Sequence, residues 1–307
     1  MVYQPHQKEH PTPPTSPSTR APPPKKNISP LPHVTPIMKT VTLNNGLKMP
    51  QLGLGVWKAD NGQEAINAIH WALDAGYRHI DTASIYKNEE AVGKALKTAS
   101  IPREDVWLTT KIWNDDIRAG RATAALDEAL ARLQTDYVDL LLVHWPVDGY
   151  VAAWKEFEAA LEAGKVRAIG VSNFMEEHLE DLLKHAKVVP AVNQIEYHPY
   201  LVQADAISLC DMHNIAITAW SPLMQGNFKE EPLFAEIAKA YGKSPAQVIL
   251  RWCLQNDIIV IPKSTNEGRI HENGDIFDFE LSEEHMVAID ELERNQRFGP
   301  DPMDFDF

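Results

Sequence analysis

The sequence predicts an α/β fold, a (β/α)8 barrel, from the number, spacing and character of its apolar runs. Eight short apolar runs alternate with amphipathic segments. Runs that are apolar on both faces are typical of parallel strands covered by helices. Eight such units in about 250 residues match the size of this barrel. The predicted strands are 51–57, 77–83, 106–113, 137–145, 166–173, 190–197, 215–222 and 257–264.

A doubly wound open sheet is the competing architecture. Its dinucleotide-binding form carries a G-x-G-x-x-G turn after the first strand. Here the first strand offers only Gly53 and Gly55 at that spacing, in "GLGVWKADNG". We therefore favour the barrel, as one domain over residues 38–307.

The remaining elements also follow from local patterns. The stretch "TLNNGLKMP" (42–50) predicts a β-hairpin turning at Asn45-Gly46, and we expect this hairpin to close the barrel bottom. Helices are predicted where apolar residues recur at i, i+3, i+4 and i+7. Clear examples lie at 62–76, 121–134, 150–164 and 175–186.

Residues 1–37 differ from the rest of the chain. They contain 11 of the 22 prolines and show no hydrophobic periodicity. Such a segment cannot bury enough apolar surface to order itself. We expect a disordered Pro-rich arm, or an upstream-extended start. An inert tail is favoured over a Pro-rich partner-binding motif.

Composition narrows the functional classes. The chain has 307 residues, of which 44% are hydrophobic and 23% charged, as in a soluble globular protein. Outside the arm, 25 basic face 42 acidic residues, a net charge of −17, which disfavours nucleic acid and anionic membranes as partners. Cys210 and Cys253 form no metal-ligand or disulfide pattern, so we expect a cytoplasmic protein without a metal site. Nothing in the sequence demands a partner chain, so a monomer is expected.

Chemically active side chains collect at the predicted strand ends. In such barrels the active site forms at the C-terminal ends of the strands. Asp81, Lys111 and His144 come from the ends of strands two, three and four, and Tyr86 follows strand two. A Lys111–Asp81 pair would satisfy two buried charges, and the positive field of Lys111 would lower the pKa of Tyr86. A phenol in such a field can donate and accept protons.

Each of these residues also has a purely structural reading. A lone Lys–Asp pair or a strand-end His more often serves structure than chemistry, and Trp57, Trp113 and Trp145 could simply pack. Their convergence on one rim favours a site with an aromatic-walled pocket for a small organic substrate. A Schiff base on Lys111 is an alternative, although Asp81 would keep that amine protonated.

The last strand ends in "IPKSTNEGRIHEN", which suggests an anion site. Lys263 and Arg269 flank the start of a short helix, with Ser264 and Thr265 between them. Helix N-terminal donors with Lys and Arg bind anions. In barrels, the loops after strands seven and eight often hold phosphate.

Taken together, these stretches resemble the aldo-keto reductases over essentially all of 38–307, and most closely the bacterial 2,5-diketo-D-gluconate reductase (methylglyoxal reductase) branch. The resemblance is carried by "GYRHIDTASIYKNEEAVGKAL", "TTKIWND", "VDLLLVHWP", "IGVSNF", "VNQIEYHP", "AWSPL", "IPKSTNEGRIHEN" and "FGPDP". The segment after His144-Trp145-Pro146 is about three residues shorter than in similar members, so substrate size is expected to differ.

This resemblance implies an NADPH-dependent reductase of small aldehydes and ketones. Tyr86 would be the general acid, tuned by Lys111 and Asp81, and His144 would orient the carbonyl oxygen. The implied cofactor contacts are Ser172, Asn173 and Gln194 on the carboxamide; Trp220 on the nicotinamide ring; Ser221, Pro222, Leu223, Gln225 and Gly226 along the pyrophosphate; Lys263, Ser264, Thr265 and Arg269 at the 2′-phosphate; and Glu272 and Asn273 on the adenine. Asn266 is implied as a further cofactor-binding residue.

Two other functions stay open at this stage. A non-catalytic sensor of NADPH could use the same fold, although all four catalytic residue types are present. A barrel aldolase or lyase would use Lys111 as nucleophile, and the Asp81 pair and the anion site speak against it.

Overall fold

Eight parallel strands form the central sheet of the computed structural model, which describes residues 39–307. Each strand pairs in parallel with the next along the chain. The strands are β3 (Leu54–Gly55), β4 (His79–Asp81), β5 (Trp107–Ile112), β6 (Val138–Val143), β7 (Val166–Ser172), β8 (Val192–Glu196), β9 (Ala216–Trp220) and β10 (Ile259–Val260). All eight lie within the predicted runs, so the predicted α/β barrel is confirmed.

The ring closes between β10 and the chain around β3. The Gly53 N–H donates to the Val260 carbonyl at 2.8 Å, and the Gly55 N–H donates to the Pro262 carbonyl at 3.3 Å. The regular ladder is much shorter here than the runs 51–57 and 257–264 predict. One reason is that Pro262 has no N–H to donate. Gly55 is required by close approach, because a Cβ there would lie 2.7 Å from the Ile261 carbonyl oxygen.

The predicted hairpin covers the N-terminal end of the barrel. It consists of β1 (Thr40–Thr42) and β2 (Lys48–Pro50), paired antiparallel, and Gly46 in its loop has a φ of 83°. Leu43 and Met49 of the hairpin are buried, and they belong to a cluster inside the barrel. The other members of that cluster are Trp107, Leu140, Leu142, Ala168, Ala191, Val192 and Ile259.

Helices pack around the sheet, as the predicted periodicity requires, and their apolar faces form one large core with the outer side of the strands. The helices are α1 (Gln63–Asp74), α2 (Glu89–Thr98), α3 (Asn114–Arg118), α4 (Ala122–Leu133), α5 (Tyr150–Glu162), α6 (Glu176–His185), α7 (Ala204–Met212), α8 (Pro232–Tyr241), α9 (Pro245–Gln255), α10 (Glu267–Gly274) and α11 (Glu283–Asp290), with 3-10 turns at Ser84–Tyr86, Arg103–Asp105 and Met224–Glu230. The four helices predicted from periodicity correspond to α1, α4, α5 and α6. In the part of the chain from 39 onward, no helix has the length and apolar character needed to cross a membrane.

The predicted disordered arm, residues 1–37, lies outside the described residues. Its boundary with the barrel at residue 38 therefore stays a prediction.

Candidate active site

A cavity of about 1090 Å³ opens at the C-terminal ends of the strands. Most side chains predicted from the sequence line it. They are Trp57, Asp81, Tyr86, Trp113, His144, Trp145, Ser172, Asn173, Gln194, Trp220, Ser221, Pro222, Leu223, Gln225, Gly226, Lys263, Arg269, Glu272 and Asn273. Four predicted residues do not line the cavity, namely Lys111, Ser264, Thr265 and Asn266.

Lys111 lies behind the cavity wall, at the end of β5, and is fully buried. Its ammonium Nζ donates to Asp81 Oδ1 at 2.5 Å and to the Thr82 carbonyl at 2.9 Å. The second carboxylate oxygen of Asp81 accepts a hydrogen bond from Gln194 Nε2 at 2.8 Å. The buried charges are therefore paired and hydrogen-bonded, which is the condition for tolerating them in a core.

The pKa of Lys111 reflects two opposing influences. Burial alone lowers it, but the nearby Asp81 carboxylate and Tyr86 hydroxyl raise it by more, so the pKa lies above its ordinary value. The amine is therefore an ammonium at neutral pH. A protonated amine outside the cavity lining cannot attack a carbonyl, which argues against a Schiff-base mechanism.

Tyr86 presents its hydroxyl between Lys111 and the cavity. It ends the 3-10 turn Ser84–Tyr86 that follows β4. Lys111 Nζ donates to Tyr86 Oη at 3.4 Å. Burial raises the pKa of Tyr86, while the ammonium of Lys111 lowers it and Asp81 raises it, and the net direction is upward. Lys111 does lower the pKa of Tyr86, as the sequence predicts. The expected net lowering of that pKa is wrong, because burial raises it by more.

His144 follows β6 and lines the same part of the cavity. Its ring contacts Tyr86 and Trp113 edge-on, with centroid distances of 5.8 Å and 5.0 Å. Burial and then the positive charge of Lys111 hold the pKa of His144 well below its ordinary value. The imidazole is therefore neutral, and a neutral ring can donate a hydrogen bond without a competing positive charge.

Ser172, Asn173 and Trp220 form a connected group beside this cluster. Ser172 Oγ donates to the Gln194 carbonyl at 2.8 Å. The Asn173 amide donates to Ser172 Oγ at 3.1 Å and to the His144 carbonyl at 3.0 Å. Trp220 Nε1 in turn donates to Asn173 Oδ1 at 2.8 Å. This group carries amide and hydroxyl atoms next to an indole ring, which suits a flat heteroaromatic ring with a carboxamide.

The loop after β9 shows unusual backbone conformations along the cavity. Ser221, Met224 and Gln225 have φ values of 50°, 49° and 52°, and Gly226 has 98°. Left-handed conformations of non-glycine residues cost about 1–3 kcal/mol each and tend to gather at ligand-binding segments. The predicted pyrophosphate loop is therefore a strained segment of this rim.

The predicted phosphate residues divide into two groups. Lys263 and Arg269 are exposed at the cavity, and neither forms an ion pair with any other residue in 39–307. Ser264 is buried and bonds the backbone of Asn266, whose own Oδ1 accepts from the Arg269 N–H at 3.0 Å as the N-cap of α10. Ser264 and Asn266 therefore shape the start of α10.

Aromatic residues from the C-terminal end of the chain extend the pocket wall, which the sequence analysis missed. Phe307 stacks on Trp113 with a centroid distance of 5.8 Å and meets Trp145 edge-on at 5.1 Å. Phe305 also contacts Trp145, at 5.0 Å. By contrast, Trp57 is 44% exposed at the cavity mouth.

The segment Phe298–Pro300 also lines the cavity and was assigned no role from sequence. It lies within the "FGPDP" stretch, whose glycine and prolines signal a fixed local conformation. That signal does not show which part of the barrel the segment touches.

The rim of this parallel barrel joins a buried Lys–Asp pair to a phenol and a neutral histidine, which is the arrangement that the resemblance to the aldo-keto reductases implies. Residues 51–294 match the model of the Aldo/keto reductase family. The chain therefore belongs to this family, and it is an oxidoreductase.

Individual relatives agree with this assignment. The chain is 51% identical over 269 residues to the 9,11-endoperoxide prostaglandin H2 reductase of Trypanosoma cruzi, covering 86% of this chain and 95% of that protein. It is 48% identical over 270 residues to methylglyoxal reductase DkgA of Salmonella typhimurium, covering 86% and 97%. The crystal structure of an aldo/keto reductase from Brucella melitensis superposes with a TM-score of 0.81 at 48% identity, covering 83% of this chain and 100% of that one.

Proposed function

We propose that this protein catalyses the NADPH-dependent reduction of small aldehydes and ketones to alcohols. The observation that carries this proposal is the Tyr86 hydroxyl, which Lys111 Nζ contacts at 3.4 Å and which opens on an aromatic-walled cavity. Relatives named for carbonyl reduction support the reaction type. We infer 2-oxoaldehydes such as methylglyoxal, and keto-sugar acids such as 2,5-diketo-D-gluconate, as the substrate class.

The residues present fit a nicotinamide cofactor. The Trp220 indole lines the cavity, and the amides of Asn173 and Gln194 with the Ser172 hydroxyl surround one end of it. We assign the nicotinamide ring to the indole face and the carboxamide to these polar groups. When bound, the reduced nicotinamide supplies the hydride equivalent that the reduction requires.

Side chains of the protein supply the proton that the reduction requires and stabilise the charges that form. Tyr86 is the general acid: its raised pKa keeps the phenol protonated at neutral pH, ready to donate to the substrate oxygen as negative charge develops there. Lys111 then stabilises the phenolate that remains. The neutral His144 ring orients the same oxygen by donating a hydrogen bond. Trp57, Trp113 and Trp145 wall the substrate pocket and limit the water around it.

The preference for NADPH over NADH is assigned to Lys263 and Arg269. In a body with a net charge of −17, two exposed cations without carboxylate partners among residues 39–307 are suited to a 2′-phosphate. Backbone donors at the start of α10 would add to them. Thr265 lies between Lys263 and this helix, and Glu272 and Asn273 line the neighbouring cavity wall, where we place the adenine.

The direct test is the loss of NADPH absorbance with methylglyoxal and a panel of small keto acids. We expect wild type to oxidise NADPH and Tyr86→Phe to be about 100-fold slower or worse, as removal of a general acid requires. Tyr137→Phe is the matched control. Tyr137 stacks with Arg103 outside the cavity, and its hydroxyl forms no hydrogen bond within residues 39–307.

Three other results would contradict the proposal. Turnover by Tyr86→Phe at the wild-type rate would show that Tyr86 is not the general acid. NADPH binding without turnover on any carbonyl of the panel would favour a sensor of the cofactor. Borohydride trapping of substrate on Lys111 would favour an aldolase or lyase.

A further inference from the structure

Glu196, at the end of β8, is a buried carboxylate with an unusual set of partners. It is 1% exposed and forms no ion pair with Lys or Arg in residues 39–307. Its Oε1 accepts the N–H of Phe298 at 2.7 Å and the N–H of Gly299 at 3.2 Å, and Oε2 lies 3.3 Å from the same Gly299 N–H. His198 Nε2 lies 3.2 Å from Oε1. A buried carboxylate is costly unless such bonds satisfy it, so this one fixes the 298–299 backbone to the barrel.

The backbone that Glu196 fixes lies against Trp220. A Cβ at Gly299 would lie 2.3 Å from Cη2 and 2.9 Å from Cζ3 of the Trp220 indole. Such distances are far below van der Waals contact, so only glycine allows this approach. Gly299 has no positive φ, and its requirement is therefore space rather than backbone conformation.

The Trp220 indole is consequently held at two opposite edges. Its Nε1 donates to Asn173 Oδ1 at 2.8 Å, and its six-membered ring abuts Gly299. The same segment also reaches the predicted pyrophosphate loop, because Gln225 Nε2 donates to the Phe298 carbonyl at 3.2 Å. One backbone segment therefore touches both the indole and the neighbouring loop.

We propose that Glu196 is a positioning residue for the cofactor: through the Phe298–Gly299 backbone it sets the plane of the Trp220 ring on which the nicotinamide stacks. The inference rests on the function proposed above and adds a residue that contacts neither the reacting atoms nor the cavity. Aromatic stacking is sensitive to ring offset and tilt. Displacing the indole should therefore weaken cofactor binding and slow the hydride step together.

The test compares Gly299→Ala and Glu196→Gln with wild type. Titration gives the Kd for NADPH, and the decay of NADPH absorbance in a single turnover with methylglyoxal gives the rate of the chemical step. We expect Gly299→Ala to raise the Kd about 3- to 10-fold, the range that loss of an aromatic pair implies. Glu196→Gln should act in the same direction, because it removes the negative charge that strengthens both backbone hydrogen bonds and replaces one acceptor oxygen with an NH2 donor.

Two controls separate positioning from general damage. Gly62→Ala adds a methyl outside the cavity, where the nearest contact is an Asp60 carboxylate oxygen at 3.3 Å, and should leave the Kd unchanged. Trp220→Phe removes the ring portion that a residue-299 methyl would strike. In that background, Gly299→Ala and Glu196→Gln should each change the Kd by less than about twofold, since coupled residues are non-additive.

The outcomes distinguish this inference from the function on which it rests. Wild type that neither binds NADPH nor reduces any carbonyl overturns both. Wild type that does both, with Gly299→Ala and Glu196→Gln at the wild-type Kd and single-turnover rate, overturns the positioning role alone. Effects that persist unchanged in the Trp220→Phe background also overturn it, because they would reflect damage that does not pass through the indole. If Gly299→Ala does not fold, Glu196→Gln in the two backgrounds decides the question.

Discussion

Replacing Lys111 with methionine tests whether the buried ion pair serves stability, chemistry or both. Lys111 is fully buried, and its Nζ contacts Asp81 Oδ1 at 2.5 Å, the Thr82 carbonyl at 2.9 Å and Tyr86 Oη at 3.4 Å. Lys111→Met keeps much of the side-chain length but leaves the Asp81 carboxylate with Gln194 as its remaining hydrogen-bond donor among those partners. Leaving one member of a buried pair uncompensated costs about 3–5 kcal/mol in the free energy of unfolding.

The double variant Asp81→Asn/Lys111→Met separates the two roles. It removes both charges and leaves no buried charge uncompensated, so we expect most of the lost free energy of unfolding to return. Activity should not return with it. Lys111 lowers the pKa of Tyr86 and would stabilise its phenolate, and both variants lack that ammonium. We expect kcat/KM for carbonyl reduction to fall about 10- to 100-fold in each.

The assays are urea unfolding followed by circular dichroism and NADPH oxidation with methylglyoxal at pH 7. Thr110→Val is a suitable control, because Thr110 is a buried residue on the same strand as Lys111. Its hydroxyl donates a hydrogen bond to Glu89, and it does not contact the site. A double variant as unstable as Lys111→Met would refute the charge-pair account of stability. Wild-type kcat/KM in both variants would refute the role of Lys111 in catalysis.

Three further outcomes are expected. The pKa of Tyr86 lies above 10.0 and that of His144 well below 6.5, so kcat/KM for reduction should be flat between these pH values; a break inside this window would contradict the assigned protonation states. Lys263→Ala and Arg269→Ala should each raise the KM for NADPH roughly tenfold and leave the KM for NADH unchanged; equal effects on both cofactors would remove the 2′-phosphate assignment. Burial lowers the pKa of His79 to about 3, so at this residue the unfolded chain binds about one more proton than the folded chain between pH 3 and 6.5. Stability is therefore lost as pH falls through this window, and His79→Gln should reduce that slope by about 1.4 kcal/mol per pH unit in urea titrations; an unchanged slope would contradict the neutral, buried ring.

The parts of the fold that the sequence predicts well are those set by local pattern. The helical periodicity of 62–76 and 150–164 appears as α1 and α5 with nearly the same bounds. The Asn45-Gly46 turn forms the hairpin loop. Strand ends could be predicted as a site because a parallel barrel brings the C-terminal ends of its strands to one rim. Asp81 and Lys111, 30 residues apart in the chain, meet there for that reason.

The parts that could not be predicted depend on contacts between distant segments. Nothing near Glu196 in the chain indicates that its carboxylate binds the backbone at 298 and 299, about 100 residues later. The aromatic contact of Phe307 with Trp113 depends on a similar return of the chain to the rim. The sign of the pKa shift of Tyr86 was likewise out of reach, because it depends on how deeply the ring is buried, and sequence spacing gives only the neighbouring charges.

The upward shift in the pKa of Tyr86 bears on whether the site favours carbonyl reduction or the reverse oxidation. In the proposed reaction Tyr86 is the general acid and must begin protonated; its ordinary pKa of 10.0 already gives a neutral phenol at pH 7, and burial raises that pKa further. After proton donation the site contains a phenolate, which burial alone would strongly disfavour. The Lys111 ammonium, raised in pKa by Asp81 and Tyr86, supplies a permanent positive charge at that moment. In this proposal burial reinforces the protonated resting state of Tyr86, and the ion pair stabilises its phenolate after proton transfer. A field strong enough to ionise Tyr86 at rest would instead leave the site without an acid for reduction.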